Sequence, residues 1–320
     1  MKIINITLMW VILMSIILAF SSSSMFFMWM CLELNMMSFI PLMNPKSLMS
    51  INSAIMYFII QALASSLYIF MISSFMINFE FSFNKISFMI MCSMLIKIGA
   101  APFHVWFPQI SEGMSMTSFY LLSTIQKMIP LYIMTIFPNH LMYLSILLST
   151  FFGSIGGFNQ LSFRKILAFS SIAHLAWMMS LIMLKNSMWM LYMMMYATIM
   201  IMIIQMMLQF NLNTFIQMNY LFSKNSLFFI ILLLSLGGMP PTMGFFMKWL
   251  ALKIITLNNM LLTMPLISSS LVNLYFYARI SYPFFLKNFN FNKWNIKIFN
   301  KFSLYILLNL TFIFIMIPFL

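Results

Sequence analysis

The stretch MLIKIGAAPFHVWFPQ, residues 94–109, carries a lysine inside a run that otherwise reads as membrane interior. A cation at that depth is costly: insertion scales place a charged side chain at a helix centre about 2.5 to 3.5 kcal/mol uphill. Two nearby residues suggest how it is tolerated. Gly99 and Pro102 follow Lys97, and a proline at 102 has no N–H to offer the Ile98 carbonyl, so the helix should open there. Lys97 therefore stands beside an irregular, hydratable backbone. The pattern returns in LSLGGMPPTMGFFMKW, residues 234–249. There Gly237 and Gly238 precede Pro240 and Pro241, the prolines free the carbonyls of Leu236 and Gly237, and Lys248 follows. An interrupted helix that recurs five spans later is the pattern of inverted repeats, whose interruptions mark ion routes at the midplane. The repeat is approximate, because Lys97 precedes its break and Lys248 follows its own.

Around these stretches the chain is 63% hydrophobic and 6% charged over 320 residues. A bilayer crossing takes about 20 apolar residues as a helix, and no alternating strand pattern is present, which predicts an all-α polytopic membrane protein and argues against a closed barrel. Apolar runs between polar breaks give about eleven spans, near 3–20, 25–43, 52–77, 86–104, 114–136, 141–158, 166–184, 188–210, 226–256, 261–286 and 303–318. The ninth is overlong and interrupted. No soluble domain fits between them, so residues 1–320 read as one membrane domain. The apolar N-terminus has no A-x-A-like cleavage site and runs directly into a second span, so it reads as a retained helix.

The net charge of +13 does not indicate nucleic acid, because the basic residues are scattered among short loops with no soluble surface to carry them. It reads instead as topology. Lys2, Lys46, Arg164, Lys165, Lys224, Lys287, Lys293, Lys297 and Lys301 fall on one side, and Lys85, Lys185 and Lys253 on the other, with Glu80 beside the first of these three. The positive-inside rule puts the N-terminus on the matrix side and the C-terminus opposite. Forty methionines accompany many Phe, Ile, Asn and Lys residues; A/T-rich codons, with AUA read as methionine, account for them better than copper binding does, since they do not cluster. Cys31 and Cys92 both lie in apolar runs, read as small buried residues, and cannot build an iron–sulfur or zinc site alone.

Other ionisable residues sit within spans. Glu33 lies near the middle of MFFMWMCLELNMMSFIP, and Lys127 in LLSTIQKMIPLY has Pro130 three residues on, which frees the Gln126 carbonyl. His174, in AFSSIAHLAWMM, shares a helix face with Ser170; alone it reads equally as a helix–helix hydrogen-bond partner or a relay. Arg279 is near a span end and can snorkel, and His104 and Glu112 read as interfacial. The GSIGG run at 153–157 has the GxxxG spacing of close helix packing.

These residue types suit proton transfer. A desolvated lysine holds its proton less tightly, and a carboxylate drawn near restores the charged form. A thousandfold change in proton affinity is about 4 kcal/mol, roughly what moving one charge across about 180 mV requires. A switching Glu33–Lys97 pair therefore has the strength to move a proton. With no nucleotide loop, Rossmann glycine fingerprint or cluster ligand set in the sequence, the driving force must come from an ion gradient or a partner.

ELNMMSFIP (33–41), KIGAAPFHVWFPQ (97–109), QKMIP (126–130), GGFNQLSFRKILAFSSIAHLAWM (156–178), LSLGGMPPTMGFFMKW and NLYFYARISY (273–282) occur in an order that resembles one family. It is the antiporter-like membrane-arm subunits of mitochondrial NADH:ubiquinone oxidoreductase, respiratory complex I, related to Mrp-type cation/proton antiporters. The resemblance implies a single antiporter-like domain in the mitochondrial inner membrane, with eleven helices in animal forms. It also implies that Glu33 pairs with Lys97 at the broken helix, that Lys127 and His174 are central relays, and that Lys248 faces the exit. NADH, FMN, iron–sulfur clusters and ubiquinone would belong to partner subunits of the membrane arm and beyond it. This chain would bind none of them, and lipids such as cardiolipin are candidates for its grooves. Gln109 stands where relatives often have Glu, with Glu112 three residues on, so no carboxylate role is carried over to that loop. Two other readings compete: a stand-alone cation/proton antiporter, and a structural membrane-arm link whose lysines are vestigial.

Overall fold

A computed structural model describes residues 2–76, 83–214, 217 and 223–288. Glu80, Lys293, Lys297, Lys301 and the expected eleventh span lie outside the described residues. Those described form thirteen α-helices and one 3-10 turn, with a single isolated bridge between Ser162 and Thr214. Among the described residues, six helical segments are long and apolar enough to cross a membrane. Their outward faces are apolar as well, with Leu63, Phe70, Met194 and Leu271 exposed, as a hydrocarbon solvent requires. The chain is a multi-pass membrane protein built as two compact units, residues 1–149 and 150–320.

In the first unit, α1 (Lys2–Ser21), α2 (Met25–Leu42), α3 (Leu48–Met76) and α4 (Phe83–Ile98) pack in sequence order. Then come α5 (Trp106–Gly113), α6 (Met116–Ser123), a 3-10 turn (Ile125–Lys127) and α7 (Met128–Ile136), with α7 against α1 and α4. The core is Phe39, Tyr57, Tyr68, Met94, Leu95, Phe119 and Ile133. The sequence treats 105–113 as connection, whereas the chain makes α5 there; Trp106, Phe107 and Ile110 share one face and bury it. The span expected at 114–136 is divided. The Ser123 and Thr124 hydroxyls both turn back to the Tyr120 carbonyl, at 3.1 and 2.7 Å, and Pro130 withholds the N–H that would continue the ladder.

The second unit takes the rest of α8 (Leu141–Gly156), then α9 (Phe163–Met183), α10 (Met188–Phe210), α11 (Ser223–Gly237), α12 (Met243–Asn258) and α13 (Met260–Asn288). Helix α9 contacts α10, α12 and α13, and almost all of it is buried. Small residues allow this crowding. A methyl on Gly153 would come 2.6 Å from the Ala173 nitrogen, one on Gly156 would collide with the Phe169 ring, and one on Gly244 with the Ser235 carbonyl.

Among the described residues, each unit holds one helix that ends at a glycine followed by a cis proline, and these two breaks have the same backbone. Helix α4 ends with Gly99 at φ 72°, its N–H bonding Ile96 and the Ala100 N–H reaching Leu95. Helix α11 ends with Gly238 at φ 91°, its N–H bonding Ser235 and the Met239 N–H reaching Leu234. Both are Schellman caps, in which glycine takes the left-handed position. A cis proline, Pro102 or Pro241, follows each glycine by the same interval.

Candidate functional site

All three deep lysines are buried, each beside an irregularity of the backbone. Near Lys97, the carbonyls exposed by the break are met by neutral donors. The Trp106 indole N–H donates to the Ile96 carbonyl at 3.1 Å, and the Gln61 amide to the Lys97 carbonyl at 3.1 Å. The break is thereby capped without the lysine side chain, which leaves the ammonium available to other partners. Glu33 is half-buried on α2, and no hydrogen bond or ion pair joins it to Lys97 among the described residues. An apolar groove of about 720 Å³ opens beside this break, lined in part by Met56, Ile60, Ile96, Pro102 and Trp106.

Lys127 ends the 3-10 turn and is 2% exposed, with its ammonium 4.6 Å from the centroid of the Phe107 ring. A cation over an aromatic face is attracted by the ring quadrupole, which offsets part of the lost hydration. The turn is tied to two other helices by a side-chain network. Gln126 donates from Nε2 to Asn35 Oδ1 at 2.8 Å, and the Tyr57 hydroxyl donates to Gln126 Oε1 at 3.3 Å. Asn35 is two residues from Glu33 and Gln61 one turn from Tyr57, so this network connects the neighbourhoods of Glu33, Lys97 and Lys127. Sequence reasoning missed Asn35, Tyr57, Gln61 and Gln126. The available signals were adjacency to Glu33 and Lys127, and the i, i+4 spacing of Tyr57 and Gln61 in an apolar run.

In the second unit, Lys248 reaches back from α12 to the break that precedes it. Its Nζ donates to the Leu236 carbonyl at 3.2 Å and to the Gly237 carbonyl at 2.7 Å. These are the two carbonyls that Pro240 and Pro241 leave without an N–H partner. Gly238 makes room, since a methyl there would sit 3.1 Å from Lys248 Cδ and 3.2 Å from Nζ. His174, on α9, is 1% exposed; its Nδ1 lies 2.8 Å from the Tyr192 hydroxyl and its ring centroid 5.1 Å from that of Tyr196.

Chemically, the arrangement holds ionisable side chains in apolar protein, where carbonyls, an aromatic ring and amides stand in for lost hydration. Residues 22–273 match the family described as NADH:quinone oxidoreductase/Mrp antiporter, transmembrane.

The chain belongs to this family.

Curated relatives of this NADH:quinone oxidoreductase/Mrp antiporter family member are named NADH-ubiquinone oxidoreductase chain 2. That of Anopheles gambiae is 38% identical over 309 residues, covering 92% of this chain and 90% of its own. That of Rhipicephalus sanguineus is 40% identical over 295 residues, covering 90% and 92%. Among solved structures, a chain of respiratory complex I from Thermus thermophilus with bound aureothin superposes with TM-score 0.78 at 20% identity, over 87% of this chain and 70% of that one. A chain of the Mrp complex from Dietzia sp. gives 0.73 at 14%, over 86% of this chain and 59% of the other. At these identities the structural matches establish the shared fold of the family.

Proposed function

We propose that the chain is a proton-translocating membrane-arm subunit of an NADH:ubiquinone oxidoreductase, with protons handled in turn by Glu33, Lys97, Lys127, His174 and Lys248. Redox chemistry in partner subunits drives it, and NADH, FMN, the iron–sulfur clusters and ubiquinone are bound by those partners. The membrane is the mitochondrial inner membrane, with the N-terminus on the matrix side. The observation that carries the reading is the seat of Lys248 on the two carbonyls freed at a proline break. A buried ammonium so placed has a partner when charged and a broken, adjustable helix around it when it is not. The names of the curated relatives and the Mrp likeness agree with it.

The test is Lys248→Met, alongside Lys97→Met, in the assembled complex reconstituted in vesicles, with NADH-driven proton uptake and quinone reduction measured together and assembly followed on a native gel. Methionine keeps the apolar stem and removes the charge. The expected result is normal assembly with proton uptake reduced about tenfold or more, the scale of losing a positioned acid–base group. Normal assembly with unchanged uptake in both variants would assign the chain a structural role instead.

A second reading, a self-sufficient cation/proton antiporter, draws on the Mrp likeness. It requires exchange by the chain alone.

A further inference from the structure

Helix α3 runs for 29 residues without a glycine or proline, and it lies against both lysine-bearing irregularities of the first unit. Two of its side chains make the connection. Tyr57 and Gln61, 1% and 6% exposed, stand one turn apart and so share a face. Gln61 donates at 3.1 Å to the carbonyl of Lys97 itself, and Tyr57 donates at 3.3 Å to the side chain of Gln126, the residue before Lys127. Helix α5 reaches the same two places with adjacent residues. Trp106 donates at 3.1 Å to the carbonyl of Ile96, the residue before Lys97, and the Phe107 ring centroid lies 4.6 Å from the Lys127 ammonium. The two helices are also packed closely on one another. A methyl on Gly113 would meet the Met49 carbonyl and Ser53 Oγ of α3, and the Tyr57 and Trp106 ring centroids are 6.4 Å apart. At the break, a methyl on Gly99 would lie 3.1 Å from both Phe107 Cβ and Trp106 Cζ2, so α5 closes directly over the cap.

We infer that α3 and α5 form a clamp that holds the Lys97 break and the Lys127 turn at one spacing, with Tyr57 and Gln61 as its positioning residues. Neither side chain carries a proton in this role. A broken helix within a membrane is tolerated only while its freed carbonyls have donors, and those of Ile96 and Lys97 take side-chain donors from α5 and α3. A shift of the Lys97 backbone must therefore break the Gln61 bond or draw α3 with it, and α3 carries Tyr57 and its hold on Gln126. With no hinge residue between positions 57 and 61 and a densely packed surround, the two irregularities move together. Spacing matters because a misplacement of about 1 Å between reacting groups can cost about a hundredfold in rate. The clamp rests on the reading of Lys97 and Lys127 as proton carriers given above.

The test uses the assembled complex in vesicles with Gln61→Met, Tyr57→Phe, the double variant and, as control, Lys97→Met. Methionine keeps the length of the Gln61 side chain without its donor, and phenylalanine keeps the Tyr57 ring against Trp106. Proton uptake and quinone reduction are measured together, with assembly checked on a native gel. The expected result is normal assembly with uptake per quinone reduced lowered about fivefold in each single variant, the scale of one lost buried hydrogen bond. A packing defect would lower both activities alike, so an unchanged ratio overturns the clamp. The double variant should again fall about fivefold, because residues of one clamp do not act independently; a fall of about 25-fold would mark two unrelated contacts and overturn it. Normal uptake in the three α3 variants with collapse in Lys97→Met overturns the clamp and leaves the proposed function standing. Normal uptake in all four overturns the clamp and, with it, Lys97 as a carrier. Should the α3 variants fail to assemble, density of the native complex at rest and during turnover decides. Gln61–Lys97 and Tyr57–Gln126 contacts that persist or change together support the clamp, and one lost while the other persists overturns it.

Discussion

Lys97 and Lys248 solve the same problem in opposite ways. Both adjoin a broken helix whose carbonyls need donors, yet at Lys97 an indole and an amide cap the break, whereas at Lys248 the ammonium itself does so. The first ammonium takes no part in capping its break, and the second is tied to the conformation of its own. Gln126 tests how far the surrounding amides matter. Gln126→Leu leaves the Asn35 amide without its 2.8 Å partner in a buried site, so stability should fall by about 1 to 3 kcal/mol. The double variant Asn35→Leu/Gln126→Leu removes both ends of the 2.8 Å bond and leaves only the Tyr57 hydroxyl without its acceptor, so it should regain part of that stability, as measured by thermal melting of the complex. If the bridge positions the Lys127 turn, proton uptake stays low in the double variant. Uptake that recovers together with stability would reduce the network to packing. The lysines were legible in the sequence because a charge in an apolar run has few explanations. The amides were not, because a neutral polar residue in a span is ordinary and only distance reveals its partner.

At the scale of the element, the two breaks are each a Schellman glycine followed by a proline. The glycine–proline spacing is plain in the sequence, while the capture of the freed carbonyls by Lys248 needed the fold, since it depends on α12 turning back on α11. The third irregularity, at Thr124, was half legible. Pro130 announced it, but the back-bonding hydroxyls that tighten the turn compete with the helix too weakly to be read from residue type. Gly238 gives a sharp prediction. At φ 91° an alanine is strained, and its methyl would press on the Lys248 stem at 3.1 Å and displace Nζ from its carbonyls. Gly238→Ala should assemble, lose about 1 to 2 kcal/mol of stability and lower proton uptake. By contrast Gly153→Leu, at the α8–α9 contact, should disturb stability and assembly first, because its bulk meets the Ala173 backbone rather than an ionisable group. A native-gel comparison of the two, with uptake normalised to assembled complex, separates them.

At the scale of the molecule, both units carry one broken helix and at least one buried lysine, yet they differ in what surrounds it. The first unit contains Glu33 and an amide network, and the second His174 with Tyr192 and Tyr196 beside it. A stand-alone exchanger must alternate access using its own bound ion as the driver, whereas a driven subunit receives its free energy from elsewhere. Moving one proton against about 180 mV takes about 4 kcal/mol, comparable to a thousandfold change in the proton affinity of a single buried group. Under the proposed function a Glu33–Lys97 switch does this work only when partner subunits drive it, since a switch that nothing pushes only equilibrates. The purified chain in liposomes, under an imposed pH gradient with Na⁺ or K⁺ outside, should therefore show no cation-dependent proton flux above that of protein-free liposomes. The same lipid with the whole complex and NADH should acidify, and Lys97→Met should abolish that acidification. Cation-dependent flux by the purified chain, lost in Lys97→Met, would make the antiporter reading the correct one and the partner subunits dispensable for transport.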